Sequence, residues 1–140
     1  MVKDIFPGNL ASQPYLTAVG STLYFQASNG TNGYELWKSD GSADGTVMVK
    51  DINAGAADSS PSYLAVIGST LYFQAGDAAT GFELWRSDGS AESTVMVKDI
   101  NLGATSSTPS YLAAAGSTLY FQATDGLLGS ELWKSDGSAS

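Results

Sequence analysis

Apolar residues fall in short runs of alternating side-chain direction that stop at Gly or Asp-Gly, and no window carries helical recurrence over the roughly ten residues a helix needs. The middle of the chain shows the pattern in full. Tyr63–Ile67 is an apolar run ending at Gly68-Ser69, a dipeptide suited to a tight hairpin turn. Thr70–Ala75 (TLYFQA) has the aromatic and β-branched content of a strand. A Gly-containing loop at 76–81 leads to Phe82–Ser87, Asp88-Gly89 marks a turn, and Thr94–Ile100 (TVMVKDI) reads as a fourth strand. This predicts a four-stranded antiparallel meander, strands a to d, with Gly/Ala/Ser/Pro-rich links at 53–62 and 101–110. Both faces of the inner strands are apolar: Leu71 and Phe73 oppose Tyr72, while Phe82 and Leu84 oppose Trp85. Such a sheet is sandwiched between two neighbours. Strand d turns polar at Lys98 and Asp99, as an outer edge does.

The meander is repeated. GSTLYFQA stands at 20–27, 68–75 and 116–123, ELW at 35–37, 83–85 and 131–133, and SDGS at 39–42, 87–90 and 135–138, always 48 residues apart. Gly and Ser make up 36 of 140 residues, a low-complexity composition that this regular spacing overrides. Four short strands in each such period predict an all-β fold, a β-propeller of four-stranded antiparallel blades, with three blades in the chain. The rival, a β-solenoid, has shorter rungs and lacks paired hairpin turns. The repeats run roughly over 6–52, 53–100 and 101–140, preceded by a lone strand d at 1–5 (MVKDI opens the chain and ends TVMVKDI).

The strand order is therefore d, abcd, abcd, abc. Met1 matches Met48 and Ser140 matches Asp44, so three residues separate the two ends of a continuing repeat. Three blades cannot surround an axis, and unpaired strand edges drive association. The expected solution is a homodimer forming a six-bladed ring, each chain donating strand d to its partner's third blade; a nine-bladed homotrimer is the runner-up. The interface would use Met1, Val2, Lys3, Asp4 and Ile5 against Glu131, Leu132, Trp133, Lys134 and Ser135.

The run ELWKSDGSADGTVMVKDI, followed by a Gly/Ser/Pro link and LYFQA, resembles the tandem ELWxSDGT-type repeats of bacterial, often extracellular, proteins. The resemblance spans the chain and implies propeller blades; it implies little chemistry. Ser42, Ser90 and Ser138 stand where that pattern has Thr. The low repeat number, and an initial Met coinciding with the repeat's own, fit a fragment of a longer array or an engineered chain.

Composition narrows the chemistry. Without His or Cys there is no thiol nucleophile, Ser–His pair, zinc finger, haem or iron–sulfur ligation, or disulfide. A net charge of −8 opposes binding to nucleic acid or an anionic membrane. No apolar run approaches the ~20 residues of a spanning helix, and the N-terminus lacks a secretion signal's order. The compartment stays open.

Three sets of acids recur: Glu35/Glu83/Glu131, Asp40/Asp88/Asp136 and Asp4/Asp51/Asp99. A glycosidase pair needs unequal environments, which identical repeats do not supply. The plainer expectation is that the SDGS aspartates shape turns and the glutamates are satisfied strand residues. Trp37, Trp85 and Trp133 sit mid-strand, so packing between blades is favoured over sugar stacking. Gly76-Asp77 and Asp125-Gly126 lack the alternating acids of a calcium loop. No enzyme, metal or cofactor is expected. Differences between copies cluster in the b–c loops and d–a links, which share one rim of a propeller. Neutral drift explains them; the functional alternative is a carbohydrate site, as in a lectin, using Asn29, Asn32, Tyr34, Asp58, Asp77, Phe82 and Asp125.

Overall fold

The computed structural model describes residues 1–5 and 15–138. Eleven strands, and no helix, occur among them: β1 (Thr17–Val19), β2 (Thr22–Ala27), β3 (Glu35–Ser39), β4 (Val47–Lys50), β5 (Ser62–Ile67), β6 (Thr70–Asp77), β7 (Gly81–Ser87), β8 (Val95–Lys98), β9 (Ser110–Ala115), β10 (Thr118–Thr124) and β11 (Ser130–Ser135). They form three antiparallel sheets in chain order. The first (β1–β4) and second (β5–β8) have four strands; the third (β9–β11) has three. Every neighbour in a sheet is the next strand in sequence, so each sheet is a meander.

The register explains the shared face pattern. Phe73 pairs with Trp85 and Gln74 with Leu84, and the copies repeat this as Phe25 with Trp37 and Phe121 with Trp133. One face of the second sheet (Leu71, Phe73, Ala75, Trp85) packs on Tyr24, Leu36 and Val49 of the first. Its other face (Tyr72, Leu84, Val97) packs on Leu119, Phe121, Ala123 and Trp133 of the third. Alternation along β6 therefore feeds two different cores, as a sheet covered on both sides requires. The β1–β2, β5–β6 and β9–β10 turns each place a glycine (Gly20, Gly68, Gly116) at a φ near +60°, which a side chain would resist.

Two elements differ from the sequence expectation. The b–c loop of the second sheet shrinks to 78–80, because β6 and β7 keep pairing out to Asp77 and Gly81 while Asp77 Oδ1 accepts the Ala79 and Thr80 amides. Strand d ends early, at Lys50 and Lys98. The amides of Ile52 and Ile100 leave the ladder to donate to Glu35 and Glu83 (2.9 and 3.0 Å).

Candidate functional site

The seams between sheets are where the repeated polar residues converge. Glu35 and Glu83 lie at the start of strand c, fully buried. Each receives three hydrogen bonds from the link that leads into the next sheet. Glu35 accepts from the Ser59 amide (3.1 Å), the Ser59 hydroxyl (2.6 Å) and the Ile52 amide (2.9 Å). Glu83 accepts from the Ser107 amide (2.8 Å), the Ser107 hydroxyl (2.6 Å) and the Ile100 amide (3.0 Å). Burial pushes both carboxyls above the ordinary glutamate value; the hydroxyl and amide donors pull the other way, and Asp99 adds a small upward push on Glu83. These carboxylates hold the chain where it crosses from one sheet to the next.

The rim residues read from copy-to-copy variation gather at the same junctions, one group per seam. At the first, the Tyr34 amide donates to Asp58 Oδ1 (2.8 Å), and Asn32 bridges Asn29 and Asp51. At the second, the Phe82 amide donates to Ser106 Oγ (2.9 Å) and Asp77 caps its own turn. Asp125 Oδ1 accepts the Leu127 amide in the third copy (2.9 Å). The side-chain polar atoms in these bonds build loops. The SDGS aspartates act similarly: Ser42, Ser93 and Ser138 hydrogen-bond to Asp40, Asp88 and Asp136 and hold their carboxyls below the usual aspartate value.

The outward end faces form a second candidate surface, and the repeat supplies its own internal comparison. Leu36, Leu84 and Leu132 are equivalent, yet they are 0%, 1% and 78% exposed. Glu35 and Glu83 are buried, whereas Glu131 is exposed. Tyr24 and Tyr72 lie over Gly89 and Gly137 of the following sheet, where an added Cβ would meet their hydroxyls; among the described residues nothing stands over the equivalent Gly41. The third sheet thus presents, uncovered, the face with which the first two grip their successors.

Met1–Ile5 forms no strand in the chain. It lies against the first sheet by contacts that strand d elsewhere makes with the next sheet. Lys3 Nζ donates to the Thr46 carbonyl (2.8 Å), as Lys50 Nζ donates to that of Thr94 (2.8 Å). Ile5 packs on Phe25, Ala27 and Trp37, as Ile52 joins Phe73, Ala75 and Trp85. Val2 and Asp4 are exposed. Of the edge residues expected at an interface, Glu131, Leu132 and Lys134 are exposed, while Ser135 is half-buried and accepts the Gly137 amide (2.9 Å). The Trp133 side chain packs on the second sheet and its Nε1 donates to the Ala123 carbonyl (2.9 Å), because alternation along β11 turns it opposite to Leu132.

Sequence reasoning missed the glutamate–serine seam. Its signal was available: in both complete copies a Ser stands 24 residues after the Glu and two before a Pro. No family model matches the chain, and no curated protein matches it.

Proposed function

We propose that the chain is a non-enzymatic, self-assembling scaffold, whose three blades join those of a second copy in a six-bladed ring. The single observation that carries the reading is the placement of Met1–Ile5. It lies on the first sheet as the outer strand of a preceding blade would, through Lys3 and Ile5. The third sheet lacks that strand among the described residues and offers β11 as its edge. A partner's Met1–Ile5 would pair with β11, lay Ile5 where Ile52 and Ile100 reach Glu35 and Glu83, and bring the partner's first sheet over Leu132. Exchange of an equivalent element gives a two-fold ring with two identical seams. The hydrogen bonds of Asn29, Asn32, Asp58, Asp77 and Asp125 shape the loops and links, which supports a scaffold over a sugar-binding rim.

Light scattering on a sizing column tests this. The expected species has twice the 14.4 kDa chain mass, and removing residues 1–5 should leave monomers. A folded species of one chain mass would refute self-assembly, and a truncated chain that still dimerised would refute strand exchange. Three chain masses would give the ring nine blades.

A further inference from the structure

Three tyrosines at equivalent places, Tyr15, Tyr63 and Tyr111, stand at or just before the first strand of each sheet, and all are exposed, although Leu64 and Leu112 beside the last two pack against the cores. Their exposure is built in. Tyr63 and Tyr111 have φ values of +52° and +53°, a left-handed conformation that bulky side chains avoid. Each lies within a register shift, between Ser62 and Ala65 in β5 and between Ser110 and Ala113 in β9. A bulge re-aims a side chain. Here Leu64 and Leu112 turn into the cores while the tyrosine is turned out. The same strained geometry occurs twice, so it belongs to the repeat.

The first strands are also the elements that approach one another from sheet to sheet, β1 to β5 and β5 to β9. The tyrosines consequently converge. Tyr63 and Tyr111 have ring centroids 6.3 Å apart, inclined at 47°. On its other side Tyr63 shares with Tyr15 a cavity of about 550 Å³, completed by Leu16, Thr17, Ser62 and Leu64.

We propose that this tyrosine cluster is a binding site for a quaternary ammonium group. Its lining offers two tyrosine rings, two leucines, four hydroxyls (Tyr15, Thr17, Ser62 and Tyr63), and no carboxylate, amide or guanidinium side chain. The lining has no carboxylate to pair with a primary ammonium, and no carboxylate or amide to take a sugar's hydroxyls two at a time. A quaternary ammonium has no N–H donors to satisfy and is held by ring faces. Charge placement agrees. The six cationic side chains (Lys3, Lys38, Lys50, Arg86, Lys98, Lys134) lie on strands c and d or in the N-terminal segment, none on a first strand. The chain as a whole carries −8. The site lies within one chain and stands whether or not rings form.

The test is a titration of the full chain with choline, followed by NMR of ring-labelled tyrosines, beside its neutral isostere 3,3-dimethylbutan-1-ol and methyl glucoside. Choline should shift the Tyr63 ring signals and bind at least about threefold tighter than the isostere, a conservative reading of one cation–π contact. Tyr63→Leu should weaken choline binding by about three- to tenfold, and Tyr63→Phe should restore it. Both variants change an exposed ring, and an unchanged far-ultraviolet spectrum checks their fold. Equal binding of choline and the isostere, tighter binding of the glucoside, no binding at all, or indifference to Tyr63→Leu would each overturn the proposal.

Discussion

The identity of Leu36, Leu84 and Leu132 in sequence, and their contrast in exposure, permits a test in which one substitution is its own control. Leu84→Ala removes a side chain buried between the second and third sheets. Truncation of a fully buried leucine costs about 3 kcal/mol, from lost transfer energy and the cavity left behind. Leu132→Ala in an isolated chain removes a side chain already in water, and should change stability by no more than about 0.5 kcal/mol. In a closed ring the same leucine is buried at each of two symmetric seams. Its truncation then costs about 3 kcal/mol twice, so the dissociation constant rises by about 6 kcal/mol, or roughly four powers of ten. Sedimentation across a dilution series measures the association, and urea unfolding of dissociated chains measures the fold. The expected pair is a Leu132→Ala chain that unfolds like the parent yet dissociates at concentrations where the parent does not. A change in association under about tenfold, with Leu84→Ala strongly destabilising, would refute burial of Leu132 in a seam.

Other consequences are measurable on the single chain. Burial raises the Glu35 and Glu83 carboxyls above the ordinary value of 4.5, so the folded state holds protons that the unfolded state releases. The associated stability is complete below that value and is lost as pH rises through the folded values; the urea midpoint should fall between pH 4.5 and 7 even in high salt, which screens surface repulsion, and a flat profile would remove the effect. Thr108 is β-branched at a φ of +49°, and its amide bond to Phe82 survives any substitution but proline. Thr108→Gly should raise stability by about 0.5–1 kcal/mol in thermal unfolding, strain relief exceeding the added freedom of the unfolded chain. Gly33→Ala would drive a methyl into the Ala57 carbonyl, so it should lower stability by at least about 1 kcal/mol in thermal unfolding.

Much of the fold could be read from periodicity. The strands, the meander and the two opposed faces of β6 follow from alternation in LYFQA repeated at a fixed step, and the described sheets match them. Alternation is a local signal, so it served wherever one strand's pattern decides which core it enters. It failed where a distant side chain competes. Strand d read as running to Ile100, but the Ile100 amide is taken by the Glu83 carboxyl, 17 residues away. The left-handed Tyr63 was illegible for another reason: a tyrosine disfavours that conformation, so nothing local in the sequence signals it. The packing of Trp133 between sheets was legible from its mid-strand place.

The glutamate–serine seam also orders events in time. Glu35 accepts hydrogen bonds from Ile52 and Ser59, which belong to the end of its own sheet and the entry to the next, and the Leu36 face is covered by the second sheet. A chain emerging from the ribosome therefore cannot complete one sheet until the following repeat has been made. At about 5–20 residues per second, a repeat length represents a wait of roughly 2–10 s. Throughout that interval a buried-to-be carboxylate and an apolar face stand open to water, and nascent chains on neighbouring ribosomes display matching faces to one another.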